Sequence, residues 1–123
     1  MDAIYLFVYG TLKRGQRNHG LLRGQTFVGE AVTAPLYRLF DFGPYPCLVP
    51  APEGGKAIHG EVFLVQAALL PRLDRLEGAP TVYQLQPIRL ANFPHPTQAY
   101  FYRLDTTGLR ECGERWPCAS PGK

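Results

Sequence analysis

The 123-residue sequence lacks any apolar run approaching the ~20 residues needed to cross a bilayer, and lacks a cationic start followed by a signal-like apolar segment. No membrane association is expected, and a cytoplasmic protein follows. Cysteine is scarce. Cys47, Cys112 and Cys118 are odd in number and without CxxC spacing, which argues against a disulfide framework and against a zinc knuckle. Free thiols are expected, with a local pair of Cys112 and Cys118 as the alternative. His19, His59 and His95 show no HxxxH or HExxH spacing, and no GxxxxGK[ST] phosphate loop occurs. The expectation is therefore no metal and no cofactor.

An excess of one charge sign is also missing over most of the chain, since residues 26–123 carry nine cations and nine anions. The whole net charge of +3 lies in residues 1–25, where Lys13, Arg14, Arg17 and Arg23 face Asp2 alone. Four cations near one loop suit a small anion, whereas duplex binding needs a longer basic stripe or a recognised module. A nucleic-acid partner is not expected.

What is present is a globular balance of 46% apolar and 19% charged residues, with thirteen glycines, twelve prolines, seven tyrosines and seven phenylalanines. That composition fits short strands and many turns in one domain better than a helical bundle. Residues 4–9 form an apolar, β-prone run stopped by Gly10 and read as a central strand. A short helix fits around residues 18–22. Strands are expected at residues 26–33, 36–42, 57–65, 83–93 and 97–104, with a rigid turn at Phe42-Gly-Pro-Tyr-Pro46 and an edge or bulge position at Pro87.

Between the strands, residues 66–77 change period, with Leu69, Leu73 and Leu76 at helical spacing, Pro71 suited to a helix start and Gly78 to its end. The domain is expected to cover residues 1–110. Residues 111–123 read as a loosely held tail with Trp116 as its anchor. Six or so strands and one helix suggest a small, mostly antiparallel β-barrel of the α+β class.

Two segments hold chemistry-bearing residues. In Val8-Tyr-Gly-Thr-Leu-Lys-Arg-Gly15 a strand runs into a glycine and then into polar residues. Successive N–H groups of Gly10, Thr11 and Leu12 could form an anion-binding nest, helped by the Thr11 hydroxyl; the same residues also satisfy an ordinary strand-to-turn transition. In Leu73-Asp-Arg-Leu-Glu-Gly-Ala-Pro-Thr-Val-Tyr83, Glu77 sits at the expected helix C-terminus. The negative end of the helix dipole favours the protonated acid there, which suits a proton-transfer group near neutral pH. The alternative is a solvated glutamate beside Arg72, Arg75 or Lys13. Tyr45, Tyr83 and Tyr100 read either as cavity lining or as core.

Together these segments, in this order and with Pro44-Tyr-Pro46 and His59-Gly-Glu-Val62 between them, resemble the gamma-glutamylcyclotransferase-like superfamily, most of all its gamma-glutamylamine cyclotransferase branch. The likeness runs from about residue 4 to residue 104. It implies a small mixed barrel with short flanking helices and a small γ-glutamyl substrate. It further implies binding by Tyr9, Gly10, Thr11 and Leu12, acid/base work by Glu77, and Tyr83 as a nearby supporting residue; Tyr45 is a further lining candidate.

Such a substrate carries its own nucleophile, the α-amine, which closes on the γ-carbonyl and releases an amine and 5-oxoproline. The resemblance leaves open the group attached to the γ-carboxyl. A competing reading is a non-enzymatic barrel of the same fold that binds a small carboxylate or a partner.

Overall fold

An apolar run with no polar alternation must be covered on both faces, and the N-terminal segment is placed accordingly in this computed structural model, which describes residues 2–118. The run forms β1 (Ala3–Val8); a 3-10 turn (His19–Leu22), β2 (Thr26–Val32), β3 (Tyr37–Asp41), β4 (Pro46–Pro50) and β5 (His59–Gln66) follow. A 3-10 turn (Ala67–Leu69) leads into α1 (Leu70–Glu77), then β6 (Tyr83–Ile88), β7 (Thr97–Tyr102) and β8 (Arg110–Gly113).

Five strands make one sheet in the order β2-β5-β1-β7-β6, and three make a second in the order β4-β3-β8. The β1–β7 pair is parallel; the other ladders are antiparallel. The edges β2 and β6 approach each other beyond their ends, through a bridge between Thr33 and Leu90. Ala34 N–H donates to Arg89 O at 3.0 Å and Ala91 N–H to Val32 O at 2.9 Å. The architecture is thus the expected α+β, mostly antiparallel and barrel-like, but its ladder is not continuously closed.

Alternate residues of β1 feed two cores. Leu6 and Val8 pack with Leu22, Phe63, Val65, Tyr100 and, from the helix, Leu73. Phe7 joins Tyr9, Leu39, Leu48, Val62, Phe101 and Trp116 on the other side. Helix α1 begins with Pro71 in its first turn and ends at Gly78, whose φ of 69° is the left-handed value that favours glycine at a helix end. Pro87 falls in edge strand β6, where its missing N–H removes no ladder bond from a central strand.

Two strands were not anticipated. β4 begins at the last residue of the expected Phe42–Pro46 turn, and it tolerates Pro46 and Pro50 because it is the edge of the small sheet. β8 is four residues long and mostly polar, too short to show a period. It corrects the picture of a loosely held tail for residues 111–118: β8 pairs with β3, Trp116 is buried, and Lys13 Nζ donates to Trp116 O at 2.5 Å. Residues 119–123 of the expected tail lie outside the described residues.

The same fold-back corrects the free-thiol expectation at two positions. By returning the chain after β8, it brings the Cα atoms of Cys112 and Cys118 to 4.7 Å, within disulfide range, and the two are bonded. Cys47 remains a free, buried thiol.

Gly60 is the tightest point of the β1–β5 contact. A Cβ there would lie 2.4 Å from Val8 O and 2.6 Å from Phe7 Cζ. Gly60→Ala is expected to destabilise the protein by ~1–3 kcal/mol, read as a lower denaturant midpoint at unchanged m-value.

Candidate active site

Strand β1 ends with its last residues buried, so the chain that leaves it starts inside the protein rather than at the surface. Residues 10–12 turn there, and Gly10 passes so close to the first proline of β4 that a Cβ would sit 2.3 Å from Pro46 Cγ. Only glycine fits. Along the opposite side run the C-terminal end of α1, with Glu77, and strands β6 and β7, with Tyr83 and Tyr100. These elements line a small cleft that opens to solvent and meets Tyr9, Gly10, Thr11, Leu12, Tyr45, Pro46, Glu77, Tyr83 and Tyr100 among others. Every residue anticipated for a site therefore meets the same cleft.

The turn is held from behind. Lys13 N–H donates to Gly10 O at 3.1 Å, Asn18 N–H to Thr11 O at 2.9 Å, and Asn18 Nδ2 to Thr11 Oγ1 at 3.0 Å. His19 Nδ1 lies 2.9 Å from Leu12 O. All of these bonds use carbonyls and the hydroxyl as acceptors. The N–H groups of Gly10, Thr11 and Leu12 have no acceptor among the described residues, although all three residues are buried. Buried donors without an acceptor cost stability, and an anionic ligand in the cleft would satisfy them.

The tyrosines are fixed by their hydroxyls. Tyr9 donates to Tyr100 O, Tyr83 to Pro46 O at 2.5 Å, and Tyr100 to Asp74 Oδ1 at 2.6 Å. Tyr9 thus meets the cleft as part of its buried floor, with its ring in the core. Tyr45 is more open, and the Arg17 guanidinium lies 4.7 Å from its ring centroid while donating to Pro44 O at 2.6 Å. Burial pushes the phenols of Tyr9, Tyr83 and Tyr100 well above their ordinary values, so all three remain protonated donors. Burial also raises the Cys47 thiol to about 11, partly opposed by a hydrogen bond with Tyr83.

Among the described residues Glu77 is the one carboxyl lining the cleft. Burial raises it from 4.5 to about 7. The expected upward shift is present, and its cause is loss of water. No donor among the described residues is bonded to its carboxylate, so nothing compensates the ionised form. A carboxyl that changes protonation near neutrality, across a small cleft from unpaired backbone donors, can accept and return a proton while an anion is held in place.

Three residues of this site carried little or no signal. Tyr100 could be cavity or core, and it is both. Pro46 had no chemistry to draw attention, yet its ring is one wall. Asp74 lies between Arg72 and Arg75 with no glycine junction to single it out; its position three residues before Glu77, on the same helix face, was the available clue.

Fold and cleft together define a small α+β protein whose site pairs one half-buried carboxyl with a backbone nest. Residues 6–117 match the family model described as gamma-glutamyl cyclotransferase, AIG2-like, and the chain belongs to that family. A Vibrio cholerae protein, provisionally named a gamma-glutamylcyclotransferase, is 46% identical over 79 residues, 64% of this chain and 66% of that one. The rat gamma-glutamylaminecyclotransferase is 39% identical over 87 residues, 65% of this chain and 58% of the relative. This chain thus spans less than two thirds of the length of the rat enzyme. The crystal structure of a mouse AIG2-like protein superimposes with a TM-score of 0.74 at 26% identity, covering 90% of this chain and 96% of that one. Among the described residues no helix is long and apolar enough to cross a membrane.

Because the folded protein binds the Glu77 proton more tightly than the unfolded chain does, this group contributes stability below about pH 4.5 and loses it as pH rises through about 7. Glu77→Gln removes the dependence. At pH 8 the variant is expected to be more stable than the wild type by ~1 kcal/mol, about 4 °C in Tm, with the difference closing by pH 4 in thermal scans.

Proposed function

We propose that this protein is a cyclotransferase that converts a γ-glutamyl amine or amide into 5-oxoproline and the free amine. The observation that carries the reading is the pairing, in one cleft, of a carboxyl poised at about pH 7 with the N–H groups of three buried residues, Gly10, Thr11 and Leu12, which lack acceptors among the described residues. Family membership and the gamma-glutamylaminecyclotransferase name of the rat relative support the same reaction.

In this mechanism the α-carboxylate of the glutamyl group lies on the N–H groups of residues 10–12. Ionised Glu77 takes a proton from the α-ammonium and frees the nitrogen lone pair. The amine then attacks the γ-carbonyl carbon, closing a five-membered ring, and the bond from that carbon to the leaving nitrogen breaks. Two protons leave the α-nitrogen overall and the same two reach the departing amine, so one carboxyl carrying them in turn completes the cycle without a net proton. No enzyme nucleophile is required. Folding the substrate so that amine and carbonyl meet supplies the proximity contribution, which reaches roughly 7–11 kcal/mol in well-oriented intramolecular reactions. The protonated Tyr83, fixed on Pro46 O, keeps the wall beside Glu77 rigid and dry.

Incubation with γ-glutamyl-ε-lysine, γ-glutamyl-alanine and glutathione, followed by quantification of 5-oxoproline, tests the reaction and selects the leaving group. Binding of these compounds without release would leave the non-enzymatic carboxylate-binding barrel instead. Glu77→Gln should fold, retain 5-oxoproline binding by calorimetry, and lose 10²–10⁴-fold in kcat. A variant within tenfold of the wild type would remove Glu77 from the proton transfer. The kcat/KM profile should fall on the acid side of about pH 7, where the carboxyl becomes protonated. Gly10→Ala, by driving a methyl group into the Pro46 ring, should weaken 5-oxoproline binding at least ~10-fold.

A further inference from the structure

The two sides of the cleft differ in electrostatic character. On the β1 side are hydrogen-bond donors without acceptors among the described residues, the N–H groups of residues 10–12. On the α1 side Glu77 lines the cleft and Asp74 stands behind it, three residues earlier on the same face of the helix, and neither forms an ion pair among the described residues. Tyr100 stands beside both. Its hydroxyl gives its only proton to Asp74 Oδ1 at 2.6 Å, while the residue itself lines the cleft with Glu77.

A phenol bonded in this way has no proton left to offer a ligand but keeps its oxygen lone pairs, and the charge on its acceptor strengthens them as hydrogen-bond acceptors. Burial first, then the hydrogen bond to Asp74 and the negative charges of Asp74 and Glu77, hold the phenol in its protonated form, so this polarity persists through neutral pH. What such an oxygen seeks is a cationic donor.

We propose that Asp74 is a positioning residue which, through the Tyr100 hydroxyl, receives the α-ammonium of the γ-glutamyl group and aims it at Glu77. The inference rests on the cyclotransferase reading and refines it: the cleft accepts a zwitterion in one direction, carboxylate toward residues 10–12 and ammonium toward α1. Tyr100 Oη accepts one ammonium N–H, leaving another for Glu77. The α-nitrogen is thereby held before it loses its proton. Asp74 itself does not touch the substrate.

The test compares L-glutamate with glutarate, which has the same carboxylates but no ammonium, as ligands titrated calorimetrically into the whole protein. Asp74→Asn is nearly isosteric and its amide oxygen still accepts from the Tyr100 hydroxyl, so it removes charge while keeping the contact. Tyr100→Phe removes the acceptor. Each is expected to weaken L-glutamate binding about 10–100-fold and to change glutarate binding less than twofold. Retention of the wild-type preference for glutamate over glutarate in both variants would overturn the proposal, as would equal loss of both ligands, which is the mark of a merely structural role.

Should Tyr100→Phe fail to fold by circular dichroism, Asp74→Asn decides alone. Release of 5-oxoproline by the wild type is scored separately. Its absence from all γ-glutamyl substrates would overturn the underlying reading, whereas an active wild type whose variants keep the glutamate preference would overturn only the role of Asp74.

Discussion

The contact between the Gly10 backbone and the ring of Pro46 is the constraint on which the site depends. It holds the end of central strand β1 against the start of edge strand β4 at a distance that admits no side chain. Because Pro46 O also receives the Tyr83 hydroxyl, the same proline ties β6 to β4 and closes one wall of the cleft. The turn at residues 10–12 is left with its carbonyls bonded to Lys13, Asn18 and His19 and its N–H groups without acceptors among the described residues. A tight steric contact made only of backbone and a proline ring thus decides where hydrogen-bond donors remain available.

A second constraint is dehydration. Glu77 and the tyrosines around it are all desolvated by burial, and each responds according to its chemistry. The phenols are held in the neutral form that they have in water, which makes them fixed structural donors. The carboxyl is moved from a group that is always ionised to one balanced near neutrality. Removal of water alone therefore separates the groups that support the cleft from the group able to exchange a proton in it.

Much of the architecture was legible in local patterns. The uninterrupted apolar run became the doubly covered β1, Pro71 and Gly78 delimit α1, and Pro87 lies in an edge strand. The less legible parts share a cause, which is that their signal is not local. β4 and β8 are short strands whose order comes entirely from pairing with β3, and the pairing of Cys112 with Cys118 follows from that order. In the site, Gly10 to Leu12 and Glu77 stood out because strand-to-glycine and helix-to-glycine junctions are visible in a sequence. Asp74 did not, because its partner Tyr100 is twenty-six residues away and the bond between them is made only when α1 packs against β7.

By itself the sequence determined which segments could be strand, helix or turn, since periodicity, proline and glycine act on the backbone within a few residues. It also determined the chemical groups available: one glutamate before a helix-ending glycine, a glycine-led turn after a buried strand, and three tyrosines. Only the tertiary structure decided that these face one another. It also decided which Glu77 protonation state is accessible near neutrality, because that depends on the water excluded by β1, β4, β6 and β7 together. Desolvation and close packing are properties of assembled surfaces, and no single segment carries either.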